Sequence, residues 1–506
     1  MHGTIFVKLA LFGAPLLIIA FFSMRRGKAR PAETAAWVIM VSLMFLPSQV
    51  AFDPPLLPAL NKHRLTFLMI AVCLRLFHAN EVLKSAPGHN MPRYVWIVLG
   101  IGGIGTVLVN PEILIFGSGL FGTNIVVLPG LRPYDALALF IALGLDIYLP
   151  FSVGQRLYKT SQDLRDLFGV MVKCFVVYIP LMLLEIRISP QLHNMLYGFH
   201  PGMFGSAIRG NGYRAIVFMD NGLGVAMFVF ACLSAGIGLG VSKARMGLLW
   251  FTMIAAKSFA PVAYAFAVTV VAPLKKPAIS RFVIIGSIFV TVAFPALRAE
   301  NLFPAKELVE FFAKINEARA ASLGFRFDNE DILLDRANLK PWFGWGGYNR
   351  GMVFDEWGTN ITITDGYWII LMGNYGRWGW ACFFFLMIVP LVRYLKNRRR
   401  FPERDKRVMS ALGLMTAIFM VDLLPNARFD NISVLCAGAL YTLSETLTRR
   451  SAHLQADRSR KRKGRAQKAV GDPAQLPPPS PPPSTPPSPP AEVPQPQVAI
   501  AARRPA

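Results

Sequence analysis

Charge is scarce in this chain, and negative charge scarcest. Asp, Glu, Lys and Arg make up 16% of its 506 residues, and only 29 of those are acidic. A soluble protein of this size carries about a quarter charged residues, so an array of soluble domains is excluded. Cysteine is sparse as well. Cys73, Cys174, Cys232, Cys382 and Cys436 all stand in apolar surroundings, and none forms a C-x-x-C pair. That spacing argues against a disulfide framework and against a metal site, so no metal and no cofactor are expected. A Walker A sequence is missing, so no ATPase of the chain's own is expected. The first apolar block lacks a basic n-region, and a retained helix is expected there in place of a cleaved signal.

Hydrophobic residues, by contrast, reach 54%. They come in blocks of membrane length: 4–23, 34–52, 65–79, 94–110, 134–153, 166–186, 215–240, 246–256, 259–273, 279–297, 367–392, 408–424 and 432–446. The expected fold class is an all-α polytopic membrane protein of about 12–13 transmembrane helices. Residues 1–446 form the transmembrane domain and 447–506 a tail.

The net charge of +24 does not indicate nucleic acid. The basic residues gather in short patches between apolar blocks: 25–30, Lys84 to Arg93, 155–165, 242–245, 274–276, 393–400 and 449–450. Such patches mark cytoplasmic loops and face anionic membrane lipids. They fall on every other loop, which puts the N-terminus in the periplasm and the tail in the cytoplasm of a bacterial inner-membrane protein. Because 242–245 and 274–276 share a side, the chain between them crosses an even number of times. The stretch 246–273 is therefore expected to be a shallow hairpin, with Lys257 buried at its turn near the outer half of the membrane.

Three sizeable periplasmic segments follow: 109–133, 187–214 and 298–366. The last is a larger helical loop. Leu308, Phe311, Phe312 and Ile315 make one apolar face at helical spacing, and a second helix is expected to start at Asp328, which has N-cap chemistry. The tail joins a basic stretch to PPPSPPPSTPPSPP, a composition that cannot bury a core and is expected to be disordered. GSGLFG (117–122) fits a dinucleotide fingerprint only formally. GIGGIG (100–105) reads as a helix-packing face.

Arg187, Arg209, Arg214, Lys257, Arg326, Arg336 and Arg350 fall on the outer side, against the positive-inside trend. Cations at that boundary suit an anionic headgroup. Each can instead pair locally, as Arg187 with Glu185 and Arg336 with Asp335. Trp342 and Trp345 suit sugar rings, or an interfacial aromatic belt. Asp365 reads as an N-cap for the next helix and as a general base.

Four segments carry a resemblance. GYRAIVFMDNGLGVAMF (212–228), AAKSFAPVAYAF (255–266), LLDRANLKPWFGWGGYNRG (333–351) and DGYWIILMGNYGRWGW (365–380) resemble, in order and spacing, the motifs of bacterial O-antigen polymerases and ligases. The resemblance spans about residues 130–445. It implies a membrane glycosyltransferase that moves an undecaprenyl-pyrophosphate-linked oligosaccharide onto an acceptor hydroxyl, of a glycan or a lipid, in the periplasm. Arg214, Lys257 and Arg336 would hold the pyrophosphate, and Asp365 would act as base where the family has histidine. Lys257 also departs from the family's arginine. A surface-polysaccharide polymerase is the leading expectation, with a chain-length regulator as a partner. A ligase of the same fold is the alternative, and a carrier or flippase without catalysis is another.

Overall fold

Each of the thirteen apolar blocks contributes a helix, because a peptide backbone among apolar side chains must satisfy its hydrogen bonds within its own segment. The structure is a computed structural model that describes residues 5–54, 57–78, 90–117, 125–209, 212–274 and 277–470. Most of GSGLFG, the basic stretch up to residue 89, the 275–276 pair and the proline run lie outside the described residues.

The first helices are α1 (Ile5–Arg25), α2 (Pro31–Phe45), α3 (Lys62–Phe77) and α4 (Met91–Leu108). Next comes α5 (Pro133–Leu143), which passes through a π turn at Gly144–Tyr148 into α6 (Leu149–Leu157). Then follow α7 (Ser161–Ile188), the short α8 (Leu192–Tyr197) and α9 (Gly222–Leu239). The second half holds α10 (Lys243–Ala255), α11 (Phe259–Val271), α12 (Pro277–Ala299), α13 (Ala305–Ala313), α14 (Glu317–Asn338), α15 (Tyr367–Asn397), α16 (Glu403–Asp422) and α17 (Asn431–Val470). Two small antiparallel hairpins, Ala51–Phe52 with Leu60–Asn61 and Leu114–Phe116 with Val126–Leu128, complete the described structure.

Among the described residues, seven helical stretches are long and apolar enough to cross a membrane. α2 and α11 are apolar but shorter. The architecture is that of an all-α membrane protein. α9 is apolar on every side and almost wholly buried, so it forms the centre of the bundle, packed by α7, α10, α11 and α16. α1 and α12 present exposed rows such as Leu16, Leu17, Phe282 and Phe289, the surface expected against lipid. The glycines of GIGGIG let rings approach α4: a Cβ on Gly100 would lie 2.3 Å from Phe140, and one on Gly102 2.3 Å from Trp378.

Several boundaries differ from the sequence expectation. Residues 46–50 and 215–221 leave the helices although they are apolar, because buried polar groups hold their backbone instead. The second helix of the long loop starts at Glu317, not Asp328. The Ala-rich EARAAS run propagates helix strongly, and Asp328 stands exposed within it. α13 ends at Ala313, which splits the expected apolar face: Leu308 and Phe312 are half-buried, Phe311 and Ile315 exposed. α17 continues through Val470, so the basic beginning of the tail, expected to be disordered, is helical. Met1–Ala452 and His453–Ala506 form separate units, and the bundle is the first.

α15 is not one continuous helix. At Gly376 the backbone turns to φ +65°, ψ −168°. The segment Pro341–Gly346 docks into that break. The N–H groups of Arg377 and Trp378 donate to the carbonyls of Pro341 (2.7 Å) and Trp342 (3.2 Å). In return, the N–H groups of Trp345 and Gly346 donate to Gly373 (2.8 Å) and Asn374 (2.9 Å). A Cβ on Gly376 would lie 2.3 Å from the Trp342 carbonyl oxygen, so glycine is required there on both counts.

Candidate functional site

The site is built on the segment that carries the chain into α9. Residues 207–209 and 212–214 pair with each other: Arg209 N–H donates to Gly212 O (2.9 Å), and Arg214 N–H to Ala207 O (2.8 Å). Beyond it the apolar run Ala215–Met219 lies buried without being helical. Its amides need acceptors, and Glu185 of α7 supplies them. One carboxylate oxygen accepts from Ile216 N–H (2.8 Å) and Val217 N–H (2.6 Å), and the other from Leu192 N–H (2.9 Å). Glu185 therefore anchors this segment and has no bond to Arg187, which is exposed. Val217 sits at φ +52°, a costly conformation for a β-branched residue. On the far side the Phe218 carbonyl accepts from Ser48 Oγ (2.8 Å) and Lys62 Nζ (3.1 Å). Asn221 then caps α9, accepting from Gly224 N–H at 2.9 Å.

This rigid segment forms one wall of a cavity of about 640 Å³. The break between α10 and α11 forms a second. Lys257 occupies it at φ +49°, and Ser258 is buried beside it. Lys257 itself is exposed at the cavity wall, not buried as the hairpin reading expects, because its left-handed backbone turns the side chain out of the helix pair. A Cβ on Gly212 would lie 2.6 Å from Lys257 Nζ, so the ammonium lies close over the turn. The third wall comes from Arg326 of α14, Asp365, and Pro425–Arg428 between α16 and α17. Arg326 joins these pieces: its Nε is 3.4 Å from Asp365 Oδ2, and its Nη1 donates to Pro425 O at 3.3 Å.

Arg209, Arg214, Lys257, Arg326 and Arg428 thus line one cavity, in which Asp365 is the lining carboxylate and Arg326 its ion-pair partner. Arg214 is buried, with Nη2 donating to Ser258 Oγ and Nε lacking any partner. Burial, and then the neighbouring Arg209, pull its guanidinium down to about 10, so it remains cationic at neutral pH. Among the described residues Arg214 forms no ion pair with a carboxylate, and a buried cation left so is costly unless an anion arrives; Arg428, by contrast, lies 3.5 Å from Asp430.

Asp365 is not the cap of α15. Gly366 takes that position, with no side-chain cap, and Asp365 faces the cavity against Arg326. Arg336, Arg350, Trp342 and Trp345 are placed elsewhere. Arg350 is fully buried and donates to Glu112 O (2.9 Å), Pro129 O (2.7 Å) and Glu112 Oε1 (3.0 Å). Arg336 donates to Arg350 O (3.0 Å) and lies 3.5 Å over the Trp345 ring. Trp345 Nε1 closes the knot on Arg336 O at 2.7 Å. Arg350 thus holds the long loop to Glu112 and Pro129, Arg336 and Trp345 brace it from within the loop, and Asp335 is not the partner of Arg336. Trp342 is exposed, away from the cavity lining.

Arg428 is the functional candidate absent from the sequence reading. The signal was present: on the charge-derived topology, the linker 425–431 is an outer loop carrying a lone arginine between two apolar blocks, the same logic that singles out Arg214. Among the described residues no group of His, Cys, Asp and Glu is arranged to hold a metal ion. No family model matches the chain, and no curated protein matches it either.

Proposed function

We propose that this chain is a bacterial inner-membrane glycosyltransferase of the O-antigen polymerase and ligase kind, acting as a surface-polysaccharide polymerase. Its donor is a glycan on undecaprenyl pyrophosphate, and its acceptor is a hydroxyl of a second glycan in the periplasm. The observation that carries this reading is a cavity lined by five cations and one carboxylate, in a bundle whose helices suit lipid. The motif resemblance at 212–228, 255–266 and 365–380 supports it, since those segments contribute Arg214, Lys257 and Asp365 to that cavity.

In the reaction Asp365 takes the proton of the acceptor hydroxyl, whose oxygen attacks the anomeric carbon. The bond from that carbon to the pyrophosphate oxygen breaks, and the electron pair leaves with the pyrophosphate. Arg214, Lys257 and Arg209 stabilise the departing charge, which grows in the transition state and so is where preorganised donors lower the barrier. Arg326 holds Asp365 at the wall. The topology proposed with this function has an odd number of crossings, the N-terminus in the periplasm and the tail in the cytoplasm, so that the cavity opens where the lipid-linked glycan resides.

The test is transfer in proteoliposomes supplied with lipid-linked glycan. Arg214→Ala and Lys257→Ala are expected to lose polymer while staying in the membrane; wild-type polymer from both overturns the assignment. A cysteine replacing Ile315, which is exposed, should react with an impermeant thiol reagent in intact spheroplasts. Labelling only after lysis reverses the topology.

A further inference from the structure

Arg428 shares the inner wall of the cavity with Arg214, and its environment is unusual for an arginine. Its side chain is only 9% exposed, its Nε and Nη1 have no partner, and its Nη2 lies 3.5 Å from Asp430. Asp430 meets two partners with different oxygens, Oδ2 facing Arg428 and Oδ1 accepting from Ile432 N–H at 2.9 Å, and Arg428 is also close enough to Asp220 to act on its charge. Arg214 is buried too, and its Nε is equally unpartnered. Buried donors are almost always satisfied. Two arginines with open donors on one cavity are therefore an arrangement waiting for acceptors.

Both side chains converge on the same feature, the N-terminus of α9. A Cβ on Gly222 would lie 3.0 Å from Arg214 Nε, and one on Gly224 2.8 Å from Arg428 Cζ. Glycine at both positions lets the two guanidinium groups lie directly over the first turn. Gly222 and Leu223 also line the cavity, and N–H groups at the start of a helix have no intrahelical acceptor. The helix dipole adds partial positive charge at the same end. Lys257 is exposed and Arg326 half-buried, so they mark the rim of the cavity, while Arg214 and Arg428 mark its floor.

We propose that Arg428, Arg214 and the first turn of α9 form a deep phosphate subsite, which holds one phosphate of a lipid-borne diphosphate. This rests on the function proposed above and names the part of the site that binds most strongly. Guanidinium donors in a dry pocket bind phosphate better than exposed ones, because water neither competes nor screens. Arg428 would then touch the substrate directly, in addition to its contact with Asp430.

The experiment is calorimetric titration of the full-length protein, in neutral detergent at fixed salt, with inorganic pyrophosphate and with farnesyl diphosphate. Wild type should bind both, and farnesyl diphosphate more tightly; equal affinity overturns a lipid-borne source. Arg428→Ala should weaken both by about tenfold to a hundredfold, the loss of one or more hydrogen bonds to a charged group. Gly224→Ala, which displaces the Arg428 guanidinium without removing its charge, should weaken them in the same direction and guards against misfolding of the first variant. Asp430→Asn separates ligand from scaffold: unchanged affinity is expected, and a loss equal to that of Arg428→Ala reduces Arg428 to a structural partner of Asp430. Wild-type affinity in both Arg428→Ala and Gly224→Ala, alongside loss in Arg214→Ala, overturns this subsite alone. Absence of any diphosphate binding by the wild type overturns the proposed function together with it.

Discussion

Arg214 reaches across the cavity to the hydroxyl of Ser258, joining the segment that leads into α9 to the break between α10 and α11. The contact fixes one end of the guanidinium and leaves Nε open. Removing Ser258 and removing Arg214 should therefore have different consequences. Ser258→Ala loses only orientation and is expected to lower transfer about tenfold. On the proposed reaction Arg214→Ala removes a charge that stabilises the leaving group and should cost about a hundredfold to a thousandfold. Initial rates at matched protein levels check this, and equal effects of the two substitutions would refute the division of roles.

Asp365 can be tested without disturbing the helix behind it, because Gly366 is the residue that starts α15. Asp365→Asn should abolish transfer while leaving the thermal transition of the purified protein in place. Turnover close to wild type would leave Asp365 as no more than the ion-pair partner of Arg326.

Glu185 predicts an effect on folding and site together. It is nearly inaccessible and accepts three backbone N–H groups, two of them from the strained segment at Ile216 and Val217. Glu185→Ala leaves those amides buried without acceptors, at about 1–3 kcal/mol for each one lost. Melting should fall markedly, and hydrogen exchange should rise at 215–218 before it rises elsewhere. Unchanged protection there would mean that the segment is held by other contacts.

The long loop should respond to pH. Burial pushes the Glu330 carboxyl up to about 7, against the opposing pull of Arg298, whose Nε lies 3.3 Å away. The folded loop thus binds this proton more tightly than an unfolded one, whose carboxyl titrates near 4.5. The associated stability is complete below that lower value and is lost as pH rises through about 7. Exchange protection of α14 should decrease from pH 5 to 8, and Glu330→Gln should flatten the trend; a trend that persists in that variant points to another group.

How much of this was readable from the residues depended on range. The helices were legible because apolar blocks of membrane length act locally, and Lys257 at the α10–α11 break followed from charge parity. The cations at 209, 214, 257 and 326 were visible as positive charges on the wrong side of a topology, and Asp365 as a carboxylate among them. The meeting of Arg214, Lys257 and Asp365 was implied by the family resemblance alone, and the ion pair that brings Arg326 to Asp365 was not legible, since the two come from segments far apart in the chain. Nor was the use of Glu185, whose acceptors are satisfied some thirty residues away. Arg336 and Arg350 carried the same sequence signal as Arg214, yet Glu112 and the carbonyl of Pro129 hold Arg350, whose own carbonyl holds Arg336, partners that a local reading cannot see.

The segments 333–351 and 365–380, two of the four that carry the family resemblance, meet at the glycine-rich stretches 341–346 and 373–376. They are two halves of one splice, in which a loop completes the backbone ladder of a broken helix. Gly376→Ala should therefore damage both at once, through a left-handed residue and a blocked carbonyl, and would be read as loss of protein from the membrane fraction. The splice also constrains motion. A flap that opens and shuts over the cavity must swing free of its anchor, and this loop cannot do so without unpairing the helix that begins next to Asp365. If the proposed reaction holds, its substrate must then enter by a different route, past the exposed edge at Lys257 and Arg209, with the long loop held still.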